Sequence, residues 1–274
     1  MAAVLPRSVV GDRPIDALSG TPRANALDRW IYVVTAAGFI VVTLTGFIPD
    51  SLTKLALIEA GQRPPFPLVA HLHAVLMATF LLFLLAQTVA MATGRRDLHQ
   101  RIGPAAYVLV PALVVAGCLL ASATWHAVWD AAHNGPPEIR PVLLGISREL
   151  DNILLLQVRV GILFPLLLFL GLQARTSDAG FHKRMMIVAP AMALPAAFDR
   201  IAWIPHTLPQ NPLSTELYPV LALAPMLAWD IYRNRRIHRA YWVFLAVYLP
   251  AAMAVHLAWD QPWWHRTVHR LMGV

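Results

Sequence analysis

Apolar positions along this chain gather into seven runs of spanning length, at about 30–49, 67–93, 104–129, 152–174, 185–205, 217–232 and 240–259. Roughly 20 apolar residues cross the hydrocarbon of a bilayer as a helix. Backbone groups in lipid must be satisfied within the segment, so helices are the reading for runs like these. The pattern predicts an all-α fold, a polytopic integral membrane bundle of seven transmembrane helices over residues 28–260. Residues 1–27 read as a flexible polar tail and 261–274 as a second, short tail. Two connections, 51–60 and 138–150, mix Leu and Ile with charge and read as short helices lying in the interface. The fifth and sixth runs are interrupted by Asp199, Arg200 and several prolines.

Composition agrees with this picture. Of the residues, 58% are hydrophobic and only 14% charged, against roughly 25% charged in soluble domains. The 22 Lys and Arg are unevenly placed: 14 lie in the tail and in the loops after runs two, four and six, and 6 on the opposite side. Arg159 and Arg200 fall inside runs. The positive-inside rule then puts the N-terminus in the cytoplasm and the C-terminus outside, which is periplasmic in a bacterial inner membrane. Trp125, Trp129, Trp203, Trp259, Trp263 and Trp264 lie at the expected outer ends, where aromatic belts form. Basic residues alternate between loops instead of forming one patch, so the expected partner is the lipid bilayer and not nucleic acid. The single cysteine, Cys118, excludes an internal disulfide, a Cys-x-x-Cys metal site and c-type haem attachment.

Candidate chemistry concentrates at one depth. His71, His73, His126, His206 and His256, with Arg159, Asp199 and Arg200, come from several runs yet fall near the same membrane face. Ionisable groups in hydrocarbon are costly and tend to be functional. His126 and Asp130, like His256 and Asp260, stand four residues apart, so each carboxylate can orient an imidazole one turn away. His71 and His73 lie about 200° apart on a helix, so only one faces the bundle. Two accounts of Arg159 stand together: an ion pair with Asp199 joining runs four and five, or an anion clamp in which Arg159 and Arg200 hold a propionate, phosphate or carboxylate. His99, His182 and His238 sit in basic turns and read as solvated loop residues.

The stretch His71-Leu72-His73-Ala74 with Gly94-Arg95-Arg96-Asp97-Leu98-His99 resembles a family of uncharacterised bacterial multi-pass membrane proteins. Phe181-His182-Lys183-Arg184-Met185-Met186 through Asp199-Arg200 looks like the same family, and that resemblance implies no established activity. More loosely, the arrangement is similar to cytochrome b561-type proteins and to helpers of haem–copper oxidase assembly. The first expectation is thus an outer-leaflet site for haem b or a transition metal. Its ligand candidates are His73, His126 and His256, and its role is electron transfer or assembly of a respiratory complex or homo-oligomer. A metal-dependent membrane hydrolase, with three histidines and Asp199 on zinc, is the second. The third is a transporter, sensor or structural subunit using the same polar network, in which histidines exchange protons near neutral pH.

Overall fold

The computed structural model describes residues 16–18 and 24–274, and every regular element among them is helical. The helices are α1 (Ala26–Glu59), α2 (Leu68–Ala92), α3 (Arg96–Ile102), α4 (Ala106–Asn134), α5 (Arg140–Gln173), α6 (Ala179–Ala191), α7 (Pro195–Phe198), α8 (Leu213–Asn234), α9 (Arg239–Ala258) and α10 (Pro262–Met272). A single 3-10 turn, Gly103–Ala105, joins α3 to α4. Among the described residues, five stretches are long and apolar enough to cross a membrane: α1, α2, the α3–α4 stretch (Arg96–Asn134), α5 and α9.

Local chemistry explains the boundaries. Asn25 caps α1, accepting from the Asp28 N–H while the Asp28 carboxylate accepts from the Asn25 N–H, a reciprocal box that starts the helix firmly. No residue between Ser51 and Ala60 can stop a helix, so α1 runs on to Glu59, and Gly61 then turns the chain at φ 69°. The separate interfacial helix expected there is therefore the top of α1. Residues 140–150 are likewise the start of α5, opened by Pro141 in its first turn, where a missing N–H does no harm. Arg235, in the left-handed region at φ 55°, ends α8.

The fifth run departs from a continuous helix. Pro190 and Pro195 remove donors on either side of residues 192–194, and the chain tightens into i→i−3 bonds from Met192 to Ala189 and from Leu194 to Ala191. Beyond α7, residues 199–212 are irregular, so Asp199, Trp203 and His206 do not share one helical face.

The helices alternate in direction, giving the bundle two ends. The proximal end holds the starts of α1, α4, α6 and α9 with α3, and the distal end holds α10. At the centre lies α6, where Met185, Ile187, Val188, Ala189 and Ala191 are fully buried among Phe39, Leu167, Met226 and Phe244. Around it, α1, α2, α4 and α5 turn Val34, Val41, Leu68, Val75, Val108 and Phe169 outward, as lipid-facing surfaces do. A second core of Trp125, Leu154, Leu155, Val255, Trp264 and Val268 closes the distal end. Gly46 lets α7 approach α1 closely, since a Cβ there would collide with the Ala197 carbonyl.

The tail is not uniformly free. Asp16 reaches Arg184 and Lys183, the Ala17 N–H donates to Asn234, and Leu18 is buried in the main core. The rest of the expected flexible tail before residue 24 lies outside the described residues.

Candidate functional site

The residues expected to form one centre are dispersed. His71 is exposed and meets Phe66 edge-on. His73 is half-buried against Gly117 of α4, and its Nδ1 is buried without a partner. His126 sits nine residues further along α4, roughly 13 Å away in depth. Its Nδ1 lies 2.9 Å from the Ser122 carbonyl and its Nε2 2.9 Å from that of Met272. His206 places Nε2 2.9 Å from the Ile201 carbonyl, and His256 is exposed on α9. Asp199 is exposed too, with no ion pair among the described residues. Arg200 reaches Asp50 at 3.3 Å and covers the Phe47 ring.

Three expected pairings are corrected, the first being His126 with Asp130, since both His126 ring nitrogens lie on the Ser122 and Met272 carbonyls. Arg159 does not meet Asp199; it donates to Glu216 of α8, and the Tyr248 hydroxyl donates to the same carboxylate at 2.6 Å. The reason is the break after α6, which carries Asp199 to the surface. Asp260 does not sit one turn above His256 either, because α9 ends at Ala258 and Asp260 turns away in the left-handed region. Among the described residues, no group of three or more His, Cys, Asp or Glu side chains is spaced to hold a metal ion.

A different site is assembled at the distal end, around Asp151. This residue is buried in the first half of α5, and its carboxylate accepts from Trp125 Nε1 at 2.8 Å. His265 of α10 places Nδ1 2.8 Å from Asp151 Oδ2 and Nε2 3.1 Å from Asp260 Oδ1. His269, one turn further, places Nε2 3.6 Å from Asp151 Oδ2. The Asp151 carbonyl accepts from Trp264 Nε1 at 2.7 Å. Asp260 in turn is bound by Arg148 at 2.9 Å, and its backbone N–H donates to Asn152. The Arg148 guanidinium, outweighing burial and helped by His265, holds the Asp260 carboxyl below its usual range. Beside it lies a cavity of about 280 Å³ lined in part by Arg148, Glu149, Asn152, Trp259 and Asp260. One imidazole therefore spans two carboxylates, one buried at 3% side-chain exposure and one on the cavity wall at 54%.

The element that completes this site, α10, falls where the sequence reads only a tail. Its signal is legible afterwards: Pro262 opens it, and Trp264, His265, Val268, His269 and Met272 recur at helical spacing on one face. Asp151 falls one residue before the fourth apolar run, so it reads as an edge residue.

The proximal end carries a second polar network. Arg184, fully buried, donates to Asp230 through Nη2 at 2.7 Å and to Asp16 through Nη1 at 2.8 Å. Tyr241 and Asn234 also donate to Asp230, at 2.8 and 2.7 Å. Burial alone would raise the Asp16 carboxyl, but its bond to Arg184 and the charge of Lys183 outweigh that and hold it far below the carboxylate range. Asp28 is clasped by Arg233 at 2.7 Å and Trp229 at 3.0 Å. His238 is no solvated loop residue: its Nδ1 accepts from the Ala240 N–H and caps α9. Burial, reinforced by the charge of Arg184, pushes its imidazole down to about 4.

Comparison with protein-family models, with curated proteins and with solved structures finds no match to this chain.

Proposed function

We propose that this chain is a seven-pass protein of a bacterial cytoplasmic membrane, proximal end inward, that works as a proton-linked transporter or sensor through its distal Asp151–His265–Asp260 array. Five passes are the long apolar helices, and the others are α6–α7 with its proline break and α8. Irregular backbone at membrane depth is tolerated where it is buried in protein, as residues 192–194 largely are. The excess of Lys and Arg at the proximal end supports the orientation. Along α5, Asp151 and Gly171 are twenty residues apart, roughly 30 Å, which matches the hydrocarbon thickness between the two polar ends.

The observation that carries the functional reading is the single imidazole between two carboxylates. A neutral ring has one N–H and satisfies one carboxylate; the other then faces a lone pair. A protonated ring satisfies both. A small polar solute entering the cavity and engaging Asp260 would change which form is favoured, coupling its binding to a proton. Trp125 and Trp264 report on this directly, because both indoles bond to Asp151. The test is tryptophan emission of the nanodisc-embedded protein across a pH titration. A reversible change that disappears in His265→Gln and persists in His133→Gln is expected. An identical titration in His265→Gln overturns the reading.

A further inference from the structure

At the proximal end, away from the Asp151 site, a group of basic residues makes no ion pair with an acid among the described residues, although Asp97 adjoins Arg96 in the chain. His99 of α3 and His182 of α6 meet edge to face, with ring centroids 6.3 Å apart. Both rings are oriented from behind. The His182 Nδ1 lies 2.9 Å from the Gly171 carbonyl and so donates to it, which turns Nε2 outward. With the Gln87 amide set so that its oxygen accepts from the Gly103 N–H, its nitrogen donates to His99 Nδ1 and leaves the proton on Nε2. Arg96 is the arginine whose charge bears on His99, and Arg175 the one on His182; among the described residues no carboxylate bears on either ring.

The absence is shared with Arg95 and Arg101 nearby and contrasts with four other basic residues of this end. Arg184, Lys183, Arg233 and Arg239 at the same end each have an aspartate. Arg96 and Arg175 are exposed and have no acidic partner among the described residues. The two imidazoles and the two guanidiniums therefore gather between the end of α5, the start of α6 and α3. They lie where α2, α4 and α5, three of the long apolar helices, reach the same end, and that is headgroup depth.

From this geometry we infer that Arg96, His99, Arg175 and His182 form a binding site for the phosphate of an anionic lipid headgroup. Arginine is suited to phosphate because its planar donors match the oxygens in pairs. His99 Nε2–H adds a third donor, and the His182 ring, fixed by the Gly171 carbonyl, packs beside it. The apolar flanks of α2 and α5 would hold the acyl chains, so the ligand reaches the site from within the bilayer.

Thermal unfolding of the detergent-purified chain, with phosphatidylglycerol or phosphatidylcholine added, tests this. Native mass spectrometry of retained lipid runs alongside. Phosphatidylglycerol should raise Tm and be retained in preference to phosphatidylcholine. In R96Q/R175Q the apparent affinity for phosphatidylglycerol should fall by about tenfold or more, while the distal variant R266Q/R270Q keeps it. His182→Gln, which leaves both arginines, provides a second, milder variant and should lower the affinity less. Equal retention of both lipids, or undiminished phosphatidylglycerol retention in R96Q/R175Q, overturns the proposal. A matching Tm rise from millimolar inorganic phosphate alone would also overturn it, by showing a site for the free ion.

Discussion

The two ends of this bundle use similar ingredients to opposite effect. At the proximal end a fully buried arginine holds Asp230 and Asp16, and tyrosine and asparagine fill the remaining acceptor positions. At the distal end a histidine stands between Asp151 and Asp260, and the outer carboxylate is open to a cavity. Arginine does not lose its proton in proteins, so the Arg184 link between Asp230 and Asp16 has one state. The His265 imidazole instead meets two carboxylates through its two ring nitrogens, and a neutral ring has one N–H to offer them. The contrast teaches that buried charge alone does not mark a working site; the test is whether a partner can change its protonation or reach water.

That comparison can be broken at either end. The largest expected effect is Arg184→Met, which strands two carboxylates and should cost about 3–5 kcal/mol, seen as loss of folded protein in detergent thermal unfolding. A second Asp230→Leu change should restore part of the loss. Glu216→Gln, which leaves Arg159 buried with a neutral partner, should cost about 3 kcal/mol, and R159M/E216L should recover most of it in a double-mutant cycle. His265→Gln should cost only about 1–2 kcal/mol, because Asp151 keeps Trp125 and the array borders water. Its clearer mark should be faster limited proteolysis between α9 and α10, since the imidazole ties α10 to α5.

The smallest effect concerns His238. Its folded value lies near 4, below the roughly 6.5 of an unfolded histidine. The unfolded chain therefore binds more protons between these values, and stability falls as pH drops from about 6.5 toward 4. Above that window the contribution is complete. His238→Gln should flatten the dependence of Tm on pH by a few degrees between pH 7 and 5, while His265→Gln leaves that proximal contribution in place.

The long apolar helices were legible because lipid-facing surface leaves nothing to decide: apolar residues surround α1, α2, α4 and α5. The interruption of the fifth run was legible too, in Pro190, Pro195 and Asp199. Partner choice was not. Asp199 and Glu216 are both acids near the ends of weak runs, and only the turn after α6 decides which one meets Arg159. His99, His182 and His238 read as loop residues because their turns are basic, yet caps and carbonyls from other helices enclose them. The distal site escaped for a related reason: α10 is short and mixed in polarity, and its meaning depends on a carboxylate far upstream.

That separation bears on how the protein is made. Trp125 and Asp151 are 26 residues apart and can meet as soon as the α4–α5 hairpin has formed, whereas His265 follows Asp151 by 114 residues. At translation speeds of about 5–20 residues per second, 114 residues take roughly 6 to 23 seconds. Throughout that interval the nascent chain holds a half-built centre, its buried carboxylate bound by one indole alone. A ribosome that stalls late in α9 would leave inserted helices with an exposed acid where the finished protein has a closed roof. Such a chain would carry its own visible mark of incompleteness for membrane quality control.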